Sequence, residues 1–168
     1  LGNMLFRTFI TGSLTAYNRN LKNVKTRPVN MSLINLFPEK ERDIRYTTFF
    51  DSKYFSTKGI RVCVRAAEMC LILAESYAHL SDTDNALTYL NLLRSKRIAD
   101  YVPYTVATLP AVDESDVIKT DATGAKLTPL MSAVLNERRK EMFMEGDRWF
   151  ELKRNGSPEF WVGYNFVK

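Results

Sequence analysis

Asn136-Glu-Arg-Arg-Lys-Glu-Met-Phe-Met-Glu-Gly-Asp-Arg-Trp-Phe-Glu-Leu-Lys-Arg-Asn155 decides how this chain is read. The stretch predicts a helix over 129–145 that stops at Gly146, followed by a shorter helix over 147–155. The first begins upstream, where Thr128 suits an N-cap and Pro129 the first helical position, at which a missing N–H costs nothing. Gly146 suits the left-handed residue that closes a helix. At ~100° per residue, Leu130, Met131 and Val134 mark one face, and Arg138, Glu141 and Glu145 continue along it. A stripe that is apolar in one half and ionic in the other must pair its charges if it packs on a neighbour, because unpaired burial costs several kcal/mol. Glu137, Arg138, Glu141, Glu145 and Arg148 are therefore expected to belong to a pairing network.

Upstream, Arg65-Ala-Ala-Glu-Met-Cys-Leu-Ile-Leu-Ala-Glu-Ser-Tyr-Ala-His-Leu80 is the most apolar segment and predicts a largely buried helix over 65–80. Its charges Arg65, Glu68 and Glu75 fall within ~80° around the axis and form a second ionic stripe. Glu68 or Glu75 should meet an arginine of the 137–148 region, or Arg94 or Arg97. The turn residues Ser81-Asp-Thr-Asp84 separate this helix from one over 83–97, where Ala86, Leu87, Leu90 and Leu93 recur at helical spacing. Arg94 and Arg97 lie toward its end, where cations suit the helix dipole. The two form a helical hairpin, and the pair over 129–155 forms another. Trp149 and Phe150 are expected in the core of the final helix, since so short a helix must be held by packing.

The remainder is less regular. Residues 1 to about 30 read as irregular or as a short helix, Ser32 to Phe37 as one helical turn or a short strand, and Tyr46 to Phe55 as extended. Gly59-Ile-Arg-Val-Cys-Val64 alternates like a strand or an extended lead-in. Between 98 and 128 periodicity disappears, and a connection that long is uncommon without a function. Tyr101 and Tyr104 flank Pro103 there, whose fixed φ would present both rings on an extended segment as a ligand-binding surface. The alternative is that both rings cover the end of the preceding helix. Phe160, Trp161, Tyr164 and Phe166 form an aromatic tail expected to pack on the helices.

Composition bounds the rest. With 168 residues, 45% hydrophobic and 26% charged, the chain is that of an ordinary globular domain, without the ~20-residue apolar run that spans a bilayer. The net charge is +5, but the longest basic run, Arg138-Arg139-Lys140, lies between Glu137 and Glu141, as in a solvated or ion-paired helix face rather than a nucleic-acid patch. No nucleic-acid partner is expected. Cys63 and Cys70 are too far apart on one helix for a disulfide, and Cys70 reads as a small buried apolar residue. His79 has no ligand neighbour at zinc spacing and belongs on a helix surface, so neither a metal nor a cofactor is expected. No signal peptide is visible.

The motifs Arg65 to Glu75, Ala86 to Arg97, Glu137-Arg-Arg-Lys-Glu141 and Glu145-Gly-Asp-Arg-Trp-Phe-Glu-Leu-Lys-Arg154, in this order, resemble the C-terminal half of the SusD/RagB family. Asp43-Ile-Arg45 resembles the Asp-x-Arg step that such proteins carry before the same helix. The resemblance is strong over 61–97 and 129–155 and weak before 31; Glu151 stands where Asp is usual, and Cys70 where an aromatic is common. It implies a mainly α fold of tetratricopeptide-like helical hairpins with long irregular loops, with residues 1–60 packing as an irregular or extended segment on a helical region over 61–168. Arg65, Glu68, Glu75, Arg94, Arg97, Glu137, Arg138, Glu141, Glu145, Gly146, Arg148 and Trp149 would be scaffold residues. The function implied is a non-enzymatic glycan- or nutrient-binding component of polysaccharide utilisation in Bacteroidetes. It would sit on the cell surface at the outer membrane as a lipoprotein, its anchor outside this chain, and serve a SusC-like TonB-dependent transporter. Two other functions compete with it. One is a helical-repeat scaffold that binds peptides in a concave groove. The other is a glycoside hydrolase using two carboxylates such as Glu68 and Glu141.

Overall fold

The computed structural model describes residues 28–58 and 65–159. Among these, six α-helices and two 3-10 turns are joined by irregular chain, with only isolated β-bridges. The helices are α1 (Met31–Ile34), α2 (Ile44–Phe49), α3 (Ala66–His79), α4 (Thr83–Ser95), α5 (Pro129–Glu141) and α6 (Asp147–Arg154).

α3 and α4 form the hairpin read from periodicity. Ser81 takes the left-handed φ of 61° that lets so short a turn close, and the Asp82 carboxylate accepts from the Asn85 N–H to start α4. The stacked rings of Tyr77 and Tyr89, 5.7 Å apart, clasp the two helices near that turn. α5 closes the layer. It starts where the sequence predicts, with Thr128 accepting from the Met131 N–H and Pro129 in the first turn. Ala74, Ala86, Leu87, Leu90, Leu130, Ala133 and Val134 then make one core shared by all three helices.

Residues 28–58 lie against this layer. Tyr46 to Phe55, expected extended, begins instead as helix α2, because Asp43 caps it by accepting from the Arg45 N–H and so offsets the weak helix propensity of its Tyr, Thr and Phe residues. Phe37, Tyr46, Phe49, Phe50 and Phe143 pack in edge-to-face and tilted pairs into an aromatic cluster. The backbone joins in: the Ile44 N–H donates to the Arg97 carbonyl at 2.9 Å and the Ala99 N–H to the Arg42 carbonyl at 2.8 Å.

Two further expectations are corrected. α5 ends at Glu141, not at residue 145, and Gly146 (φ 79°) caps the start of α6, while Met144 takes a left-handed φ of 64° between the two helices. The early stop has a visible cause. The Glu141 carbonyl, which a longer helix would use internally, accepts from Arg65 Nη2 at 2.8 Å and Lys58 Nζ at 3.2 Å. The second correction concerns Trp149 and Phe150, which are 59% and 41% exposed rather than core. Helix α6 buries the face of Glu151, Leu152 and Asn155, and at ~100° per residue Trp149 and Phe150 point ~115° and ~145° away from its centre. Leu152 is the residue that anchors α6, packing with Ile118, Leu127, Met131 and Leu135.

Candidate functional site

The most concentrated chemistry in the described residues is a buried net of charges centred on α5. Arg45, 2% exposed, grips Asp43 with two nitrogens, at 2.7 and 3.0 Å, and reaches Glu137 at 2.9 Å and Glu141 at 3.3 Å. Glu137 also accepts from Arg94 Nη1 at 3.0 Å and pairs with Lys140 one turn on. Arg94 spends its other terminal nitrogen on Glu39 at 2.9 Å. Arg97 holds both oxygens of Glu141, at 2.8 and 3.0 Å, and Arg65 pairs with the same carboxylate. Arg65 continues to Glu145 at 2.6 Å, which Lys58 also reaches at 2.7 Å.

Burial alone would raise the carboxyl groups of Glu137 and Glu141. The surrounding cations outweigh it, Lys140, Arg45 and Arg94 for the first and Arg97, Arg45 and Arg65 for the second, and both are held down at about 2. At neutral pH these are ionised, fully engaged groups, suited to clamping four chain segments together rather than to trading protons.

The ionic stripes read from sequence therefore meet, though not in every expected pair. Arg65, Arg97, Glu141 and Glu145 converge, and Arg94 meets Glu137. Glu68 lies 3.9 Å from Arg138, whose guanidinium is chiefly occupied by Asp147 at 2.6 and 2.8 Å. Glu75 pairs with Arg154 of α6 at 2.9 Å, outside the expected set, and Arg148 bonds Glu151 at 2.7 Å. Gly146 serves by its φ, and Trp149 takes no part in the net. Sequence reasoning missed Lys58, Glu39 and Lys140 as members, and treated Asp43 and Arg45 only as a motif. A short Asp-x-Arg step beside a predicted extended stretch was the one available signal.

Tyr101 and Tyr104 line a shallow cleft of ≈ 250 Å³ with Glu39, Arg42, Ile98 and Thr108. Both rings are half-buried. Tyr104 lies over the Arg94 guanidinium at 3.7 Å, and the Asn91 side chain brackets its backbone with two 2.8 Å bonds, so this ring is fixed by the scaffold. Cys70 is half-buried and free, and His79 lies on the exposed side of α3, 3.7 Å from Asp121. The Gly59 to Val64 stretch read as a strand or extended lead-in, with Cys63 in it, and the aromatic tail from Phe160 lie outside the described residues, as do residues 1–27. Among the described residues there is no cluster of His, Cys, Asp and Glu able to hold a metal ion, and no helix long and apolar enough to cross a membrane.

Compared with known proteins, the chain matches the family model described as the SusD family over residues 12–166. No curated protein and no solved structure matches it. Since the match spans nearly the whole sequence, the chain belongs to the SusD family, and its mainly helical, tetratricopeptide-like architecture is the one that family has.

Proposed function

We propose that this SusD-family protein is a non-enzymatic, cell-surface component of a nutrient uptake system, which captures a glycan or related nutrient and passes it to a SusC-like TonB-dependent transporter. The observation that carries this reading is the family match over residues 12–166. In the same reading the protein is an outer-membrane lipoprotein, and residues 1–60 pack as a supporting segment on the helical region 61–168. The seating of Arg45 among the charges of α5 supports that packing.

The chemistry of the buried net supports binding without cleavage. A glycoside hydrolase needs one carboxyl group held protonated near neutral pH, opposite a second carboxylate. Glu141 is instead held ionised by three arginines, and Glu68 faces Arg138. The ligand surface of this reading is the cleft of Tyr101 and Tyr104, where a ring face can stack on sugar C–H groups and a hydroxyl can bond to sugar hydroxyls.

Titration calorimetry of the protein against a panel of soluble polysaccharides, run beside a reducing-sugar assay, tests the reading. Heat of binding without release of reducing ends is expected. Release that disappears in Glu68→Gln would overturn it, as would a panel with no binder. Tyr101→Ala should weaken binding by about 0.5–1.5 kcal/mol. Tyr104→Phe keeps the ring over Arg94 and so isolates the hydroxyl contribution.

A further inference from the structure

Among the described residues, three buried atoms without a hydrogen-bond partner belong to side chains gathered where α5 meets α6: Arg138 Nη1, Glu151 Oε1 and Asn155 Oδ1. The sequence brings them together. Asp147, Glu151 and Asn155 stand four residues apart along α6 and its C-cap, so they share one stripe of the helix, roughly 5–6 Å from one to the next. Arg138 clamps the first of them, with Nε and Nη2 donating to the two Asp147 oxygens at 2.8 and 2.6 Å, which leaves Nη1 unspent on the same guanidinium. Glu151 gives one oxygen to Arg148 at 2.7 Å and keeps Oε1. Asn155 spends its Nδ2 donor on the Glu151 carbonyl at 2.9 Å and keeps Oδ1.

All three side chains are sealed from bulk solvent, Glu151 and Asn155 at 1% exposure and Arg138 at 4%. Leu152, between Glu151 and Asn155 in the chain, packs with Met131 and Leu135 of α5 and closes the contact. The Arg138 and Glu151 charges attract each other, yet no nitrogen of the first comes within 4.0 Å of an oxygen of the second. Polar groups that face each other beyond direct reach are what a bridging water joins.

The three atoms also select the kind of molecule that joins them. One N–H needs an acceptor and two oxygens need donors, so the molecule must offer two donors and one acceptor at once. A metal ion or an ammonium cannot accept from Arg138, a halide cannot donate to Glu151, and an alcohol or sugar hydroxyl carries only one hydrogen. Water meets all three demands, and three bonds to otherwise unsatisfied groups is the usual complement of a buried water.

We infer that Arg138, Glu151 and Asn155 form an internal water site, in which one water accepts from Arg138 Nη1 and donates to Glu151 Oε1 and Asn155 Oδ1. It ties the guanidinium that clamps the start of α6 to the cap that ends it, and so seats the whole of α6 on α5. The site does not depend on the glycan-binding reading.

Crystals of the wild-type protein grown at pH 7 and diffracting well enough to show ordered water test it, with NMR of the same protein in solution. One water peak is expected at about 2.7–3.2 Å from all three atoms. In solution, nuclear Overhauser transfer from a long-lived water to the Asn155 side-chain amide protons is expected. Asn155→Leu, which removes one acceptor and fills its space with methyl groups, should lose the peak, and Asn155→Ala serves if that variant does not fold. Direct contact of Glu151 Oε1 with Asn155 Oδ1, as a protonated Glu151 would make, overturns the site. So does a direct Arg138–Glu151 pair, or a wild-type protein with neither peak nor transfer.

Discussion

Arg45 shows how one side chain can hold several segments. Its guanidinium is shared among Asp43, Glu137 and Glu141, and no other side chain offers the same planar fork. Arg45→Met should cost about 3–5 kcal/mol in chemical denaturation, because it strands buried carboxylates. A change below about 1 kcal/mol would show the net to be solvated. Acidity probes the same groups. Glu137 and Glu141 have folded-state values of about 2, below the ordinary glutamate range near ~4.3. Their contribution is therefore fully present above that range and is lost as pH falls toward about 2. A melting temperature that declines steeply over that interval is expected, and one that is flat would contradict the assignment. Glu151 runs the other way. Burial pushes its carboxyl up against the pull of Arg148, so its ionised form costs stability at neutral pH. Glu151→Gln should leave the melting temperature at pH 7 unchanged or raised, with the gain shrinking as pH falls through the glutamate range; a clear loss would mean that Arg148 compensates the buried charge fully.

At the scale of elements, the ends of α5 divide what the sequence reveals from what it conceals. Its start was legible because Thr128 and Pro129 act locally. Its end was not, because the residues that stop it, Lys58 and Arg65, come from far away in the chain and cap the Glu141 carbonyl. α2 escaped detection for a related reason: intrinsic propensity favours strand in Tyr46 to Phe49, and the Asp43 cap with the aromatic packing overrides it. α3 and α4 were legible because their apolar spacing is long and regular. Trp149 was misplaced by the assumption that a large aromatic in a short helix must anchor it. That task falls to Leu152, flanked by the Arg138–Asp147 and Arg154–Glu75 pairs. Trp149→Ala should therefore shift stability by no more than about 0.5 kcal/mol, whereas Leu152→Ala should cost about 2–5 kcal/mol. Thermal unfolding of the two variants side by side checks the assignment.

Across the whole molecule, the ionic net gathers distant segments onto α5. The net joins residues 39–45, Lys58, Arg65 and the end of α4 to Glu137 and Glu141 in the last turns of α5 and to Glu145 beyond it. The ordered motifs carried the family and the helical hairpins from sequence alone, because they lie in long segments of regular apolar and charged spacing. The tyrosine cleft was less legible, since it is lined by residues distant in sequence, Glu39 beside Tyr104. The central claim is that the buried carboxylates support the fold, while in the proposed reading the tyrosine cleft takes the ligand. Glu141→Gln tests it most directly, with urea denaturation, polysaccharide calorimetry and reducing-sugar release measured on the same preparation. The account predicts a stability loss of about 3–5 kcal/mol, with unchanged affinity in the fraction that remains folded and no sugar release in either protein. Full stability combined with lost binding, or release in wild type that the substitution abolishes, would contradict it.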